Sequence, residues 1–500
     1  MWDSLLLALA IGLPVSFLPG FSLCYAWGAS RWTSIVAAVP VSCGLYSAVG
    51  AILYRLGHPG TIPVIAAAAL VTTVCLVFYL ATRRFSYRDK QRDNTTEAIS
   101  PTTVLLYIGV VAAVTSYAFL SNIGTADSVN QASDNPFHLT RIVDMAHHGN
   151  YSMLDTSFYN GIVPEEQALT TAAAFYPEGF HIIAALVLFL TNVPVGIAEN
   201  ATTLLFICIV YPLGMSALMQ SQFGKRSLIA IAGSLCACAC VMFPIRPLVV
   251  NGVFPFTAGI ACLPAMLFLF ARSFDLRGNA LPRLQPANLA SFIFALLGLA
   301  CLHPSAAIAS GVAIVPLIVG KLVPPLARRL PGSASHIPAP AWQCASLIAF
   351  AALWVIVYQL PFLEGITSYS WGWSISITNG IERLLTMGLR LGAPAYALGL
   401  LVIIGLSRAL ASKDASWLGG LFLIMAIIFM GSASSSSFLS HLLSGFWYTD
   451  PERTSAMVAI AAVPLSALGL ATICEGFSIL ITRLEGQGGS PSRRRLAVSA

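Results

Sequence analysis

Charge is what this chain has least of. Only 9% of its 500 residues are Asp, Glu, Lys or Arg, and 57% are hydrophobic, whereas soluble domains carry about 25% charged residues. That shortage excludes a soluble globular protein. Zinc-type cysteine spacing is also lacking: the eleven cysteines all fall within or at the ends of apolar runs, so they read as small buried hydrophobes. No disulfide framework is expected from them. The N-terminus, MWDSLLLALAIG, lacks a basic leader and an obvious cleavage site, which predicts a retained first helix. Such positive charge as exists is clustered at 83–93, 321–330 and 492–495. Clusters between apolar runs predict cytoplasmic loops rather than nucleic-acid binding.

What the chain has instead is a succession of apolar runs, with a mean hydropathy of +0.80. Each crossing of the hydrocarbon takes ~20 residues, which predicts an all-α polytopic transmembrane bundle of about 12–14 spans. Residues 1–100 read as accessory helices ending in a cytoplasmic loop, 101–460 as the membrane core, and 461–500 as the end of the last helix and a basic tail. The core contains one long polar loop, 122–170, which is expected to hold short membrane-surface helices on the outer face. Fixing 83–93 and the tail as cytoplasmic puts 122–170, 363–385 and 432–455 on that outer face. The bookkeeping fails in one place. Counting every run between 191 and 288 as a full crossing leaves Lys225 and Arg226 outside, so either one segment is re-entrant or the charge bias is locally broken.

Four clusters could do chemistry. The first is Asp134 followed by His138, Arg141, Met145 and His148, whose +4, +3, +4, +3 spacing places them on or just ahead of one helical face. A solvated amphipathic helix, with Phe137, Ile142 and Met145 toward lipid, would produce much the same pattern. Next comes Tyr176-Pro177-Glu178-Gly179-Phe180-His181, which also reads as an interfacial Tyr anchor with a snorkelling His. His303-Pro304 breaks two short apolar runs, where a His must line a cavity or meet a partner. Last is Trp447-Tyr448-Thr449-Asp450-Pro451-Glu452-Arg453; an aromatic belt with N-capping acids accounts for Trp447 and Asp450 but less well for Arg453. Their coincidence on one face says more than any single cluster.

Those motifs, Asp134-x-x-x-His138, Tyr176-Pro177-x-Gly179-x-His181, His303-Pro304 and Trp447-Tyr448-x-Asp450-x-x-Arg453, resemble an actinobacterial family of polytopic membrane proteins. That family in turn resembles the GT-C superfamily of membrane glycosyltransferases. The similarity covers roughly 100–460. The resemblance implies a GT-C-like fold, a polyprenyl-phosphate-linked sugar as donor, and a cell-envelope glycan or lipid as acceptor. It also implies an essential acid in the first outer loop, matched here by Asp134 with Asp127 as fallback. His138 and His181 would join Asp134 in catalysis, and Arg141, Tyr176, His303, Tyr448, Asp450 and Arg453 would bind substrate. Aromatic residues at 369–373 and 446–448 would offer stacking surfaces for a sugar. The chain departs from the superfamily in having Asp134-Asn135 where several branches have a paired Asp-Glu. That leaves the cofactor unknown, with a divalent metal still open. It also keeps two other readings alive, a lipid or envelope-precursor transporter and a non-catalytic relative. Transporter candidates Arg246, Glu382 and Arg390 sit near run ends, away from the midplane where transport chemistry concentrates.

Overall fold

The computed structural model describes residues 1–83, 99–156, 175–224, 226–276, 282–331, 336–369, 371–372, 374–434 and 437–486. Among them, 10 helices are long and apolar enough to cross a membrane, or 11 if one bent pair is a single span, and three shorter apolar helices pack with them. The chain is an all-α integral membrane protein. Most of 83–93, all of 492–495 and part of the 122–170 loop lie outside the described residues.

The first four helices are α1 (Trp2–Ala26), α2 (Arg31–Arg55), α3 (Thr61–Arg83) and α4 (Pro101–Ile123). Ser30 and Ser100 cap α2 and α4, each hydroxyl accepting from the backbone N–H three residues on, which satisfies a donor that lipid could not. Then come α5 (Asn135–His148), α6 (Gly179–Thr191) and α7 (Val195–Phe223). The helices α8 (Ser227–Cys236) and α9 (Val241–Val250) form the pair bent by 54°. They are followed by α10 (Phe254–Ser273), α11 (Pro286–Leu302), α12 (Pro304–Ala327), α13 (Ala339–Tyr358), α14 (Ile377–Leu385), α15 (Tyr396–Ala411), α16 (Ser416–Ser434) and α17 (Pro451–Gly486). Small residues let some of these backbones approach closely. A Cβ on Gly298 of α11 would collide with the Pro40 carbonyl of α2, the kind of contact by which helices associate where water supplies no driving force.

Side-chain bonds sort the helix termini into two ends. At the basic end, Ser100 N–H donates to Gln220 at 2.6 Å, Gln222 donates to the Asp414 carbonyl at 3.0 Å, and Lys321 pairs with Asp414 at 2.7 Å. The opposite end gathers the polar segments after α4, α9, α11 and α13 and before α17.

This arrangement resolves the position of Arg226, while Lys225 lies outside the described residues. The run near 171–191 is not a crossing. Its helix, α6, has 13 residues, about 20 Å, which is short of the ~30 Å hydrocarbon. Its start meets α5, where Glu178 and His181 bond Arg141 and His138, and the helix that follows it begins at the same segment. After its end, Gly196 packs on the Asp127 carbonyl and Asn200 donates to the carbonyls of Ala126 and Ser128. With α6 buried and returning to the same end, α7 brings Arg226 to the basic end, and the charge bias holds.

The polar loop also differs from expectation in one respect. The helix α5 is not laid on a lipid surface: His138, Arg141, Ile142, Asp144 and Met145 are all buried in protein. Instead α14 has the surface character, with Ile377, Ile381 and Leu385 exposed along one stripe.

Candidate functional site

A cavity of about 480 Å³ opens at the polar end, and its lining includes Asp134, His138, Tyr176, His303, Tyr448 and Arg453. These residues come from four separate stretches of chain, and each is placed by a distinct local device.

Asp134 is placed by the start of α5. Pro136 stands in the first turn and Asp134 at the cap position, yet its carboxylate makes no capping bond. Among the described residues it accepts only from the neighbouring Ser133 hydroxyl, at 3.2 Å, so an exposed carboxylate is left facing the cavity. One turn on, His138 is buried and its Nδ1 lies 2.9 Å from Nε2 of His181. One imidazole must donate and the other accept. Burial holds His138 down to about 4, partly opposed by Asp134, so it is neutral near pH 7.

What seats α5 is a buried ion cluster. Arg141, only 1% exposed, reaches Glu178 with Nε at 2.9 Å and Nη2 at 2.7 Å, and Asp144 with Nη1. Thr156 also donates to Glu178, at 3.1 Å, while Asp144 bonds His148 at 2.9 Å. Burial pushes the Glu178 carboxyl up while Arg141 pulls it back. The helix ends at Gly149, with φ +74 and its N–H on Met145. A Cβ there would strike Gly60, so α5 can dock against the α2–α3 turn only with glycine at this place.

His303 caps α12, its Nδ1 accepting from Ser305 N–H at 3.2 Å. A neutral ring bonded in this way carries its proton on Nε2. The wall opposite is the turn before α17. Tyr448 and Thr449 take φ +62 and +51, left-handed conformations that cost non-glycine residues about 1–2 kcal/mol each. They are held by Tyr448 N–H on Gly445 and Asp450 N–H on Trp447, while the fully buried Trp447 indole donates to the Ser305 carbonyl at 3.1 Å. The turn sets the Tyr448 ring 4.5 Å from the Arg453 guanidinium, which also lies 5.2 Å from the Phe256 ring. Asp450 supports Arg453 Nε at 3.3 Å; burial raises the Asp450 carboxyl and Arg453 opposes that.

An apolar groove of about 720 Å³ adjoins this cavity and shares Phe175, Pro304, Phe362 and Ile366 with it. Leu23, Trp27, Val41, Leu45 and Ala48 of α1 and α2 line it, together with Leu297 and Cys301 of α11. The N-terminal block that the sequence marks as accessory therefore walls the groove.

The structure brings Asp134, His138, Tyr176, His303, Tyr448 and Arg453 onto one cavity. His181 stands behind His138, and Asp450 beside Arg453. Arg141 is bound to Glu178 and Asp144 and does not line the cavity, so its role is to hold α5 rather than to meet substrate. Asp127 accepts from Thr125 in a turn and lies off the cavity as well. Phe446 and Trp447 are core residues with 0% exposure; of the expected stacking residues Tyr448, Tyr369 and Trp371 line the cavity, and Trp373 lies outside the described residues. Arg246 and Arg390 both reach Glu452, the former at 2.6 Å. Sequence reasoning passed over Glu199, a fully buried acid in α7; a lone carboxyl in an apolar run was the available signal. Phe256 and Phe362 carried no such signal. Among the described residues no three His, Cys, Asp or Glu side chains are grouped as a metal site.

A protein-family model described as a family of unknown function, DUF6541, matches residues 13–500. No curated protein and no solved structure matches the chain.

Proposed function

The chain belongs to the DUF6541 family, and from that footing we propose that it is a membrane glycosyltransferase using a polyprenyl-phosphate sugar. The observation that carries this reading is the continuity of a polar cavity, holding an acid and an arginine, with an apolar groove. A lipid-linked sugar has the same division: a long hydrocarbon chain, one phosphate and a polar ring.

In the reaction an acceptor hydroxyl attacks the anomeric carbon of the donor. Its proton passes to the Asp134 carboxylate, a new C–O bond forms, and the bond to the phosphate oxygen breaks with its electron pair leaving on phosphate. A positioned base is worth about 10²–10⁴-fold in rate. Arg453 offsets the charge of the departing phosphate and the Nε2–H of His303 hydrogen-bonds to it. His138, neutral near pH 7, and the Tyr176 and Tyr448 hydroxyls orient the sugar, with Tyr369 and Trp371 presenting ring faces. The acceptor is a cell-envelope glycan or lipid, and the bilayer that faces the polar end supplies the donor.

The test uses purified full-length protein in lipid with labelled polyprenyl-phosphate sugars and envelope extract, comparing wild type with Asp134→Asn. Transfer that vanishes in the variant while donor binding persists supports the reading. Equal transfer in both removes Asp134 from the mechanism. Donor binding with no transfer by wild type would favour lipid transport or binding instead.

A further inference from the structure

We propose that the cavity at the basic end of the bundle is a second binding site, for a phosphate group. It measures about 470 Å³ and lies at the opposite end from the polar cavity, among Gln222, Arg226, Arg408, Ser412 and Asp414, with Leu468 on its apolar side. Most of its polar frame is internally satisfied. The Asp414 carboxylate is neutralised by Lys321 at 2.7 Å, and its backbone carbonyl accepts from Gln222. Gln222 in turn accepts from the Trp417 indole at 2.9 Å, and the Ser412 hydroxyl accepts from the backbone N–H groups of Asp414 and Ala415.

Two charges are left over. Arg226 and Arg408 are exposed, and neither bonds or pairs with another described residue. With Lys321 and Asp414 cancelling, the described residues of the cavity carry an excess of two guanidinium groups, whose planar forks match phosphate oxygens. Their level in the bundle suits a membrane-boundary ligand. Arg408 is in the last turn of the apolar helix α15 and Arg226 stands immediately before the apolar helix α8, with the Trp417 indole near by at the start of α16. Basic pockets between spans at such a level accept anionic lipid head groups. The same two arginines would also take free phosphate from water.

The experiment separates these sources. Full-length protein in neutral detergent is offered phosphatidylglycerol, phosphatidylcholine or inorganic phosphate, with binding read by native mass spectrometry. Wild type is compared with the double variant Arg226→Gln/Arg408→Gln and with Arg226→Lys/Arg408→Lys. The expected result is preference for phosphatidylglycerol over phosphatidylcholine, weakened at least about tenfold in the Gln variant and partly kept in the Lys variant. Insensitivity of that binding to inorganic phosphate assigns the lipid head group. Retention of inorganic phosphate by wild type and its loss in the Gln variant, without any lipid preference, assigns free phosphate. Both arginines face solvent, so an unchanged melting temperature in phosphatidylcholine checks that the variants fold. A Gln variant that binds every probe as wild type does overturns the proposal.

Discussion

Removing both members of the Arg141–Glu178 pair should cost much less than the sum of removing each alone. Glu178 is fully buried and Arg141 is 1% exposed, so Glu178→Gln takes one carboxylate from a guanidinium that excludes water and leaves Asp144 beside it. Breaking a buried pair from one side costs about 3–5 kcal/mol; because Asp144 remains, about 3 kcal/mol is expected. Arg141→Met strands both Glu178 and Asp144 without their cation and should cost about 4–5 kcal/mol. In the double variant only Asp144 is stranded, and it keeps His148 at 2.9 Å. Its cost should therefore stay near that of Arg141→Met alone, about 3 kcal/mol short of the additive value. The assay is reversible unfolding in mixed micelles, followed by circular dichroism, for the wild type and the three variants. Additivity within about 0.5 kcal/mol, or a Glu178→Gln cost below about 1 kcal/mol, would refute the claim that this pair seats α5.

Other expectations follow from the same geometry. His138 is held at about 4 against 6.5 when unfolded, so between those values the unfolded chain binds a proton that the native site refuses. Its contribution makes the protein less stable as pH falls from 6.5 toward 4, and His138→Gln should flatten the melting-temperature profile in that window. Gly149→Ala should destabilise by more than about 1 kcal/mol, because the position needs positive φ and a Cβ meets Gly60; equal melting temperatures would contradict the close approach. Ala48→Trp, which fills the apolar groove, should raise KM for a long-chain polyprenyl donor while sparing a donor truncated to one or two isoprene units. Equal effects on both donors would place the chain elsewhere. Trp447→Phe should lose about 1 kcal/mol with the bond to Ser305, read by thermal unfolding.

Much of the fold was legible in the residues themselves. Low charge and repeated apolar runs determine an all-α membrane protein, because a span must satisfy its own backbone and exclude ions wherever lipid surrounds it. Polar residues that cannot enter lipid are confined to termini and loops, so Asp134, Tyr176, His303, Tyr448 and Arg453 could be picked out as a set before any contact was known. Burial, by contrast, was decided only in three dimensions. The Arg141 position shares a helical face with His138, yet Glu178, 37 residues away, turns it from a cavity residue into an anchor. The apolar sequence of α6 resembles a span, but whether it crosses depends on what its two ends touch. Trp447 reads as an interfacial anchor and is a core residue because Ser305 takes its N–H. The groove has no sequence signal at all, since Leu23, Ala48 and Cys301 are ordinary apolar residues until α1, α2 and α11 pack around a gap. Local chemistry determined which residues must avoid lipid, and long-range packing determined which of them meet one another.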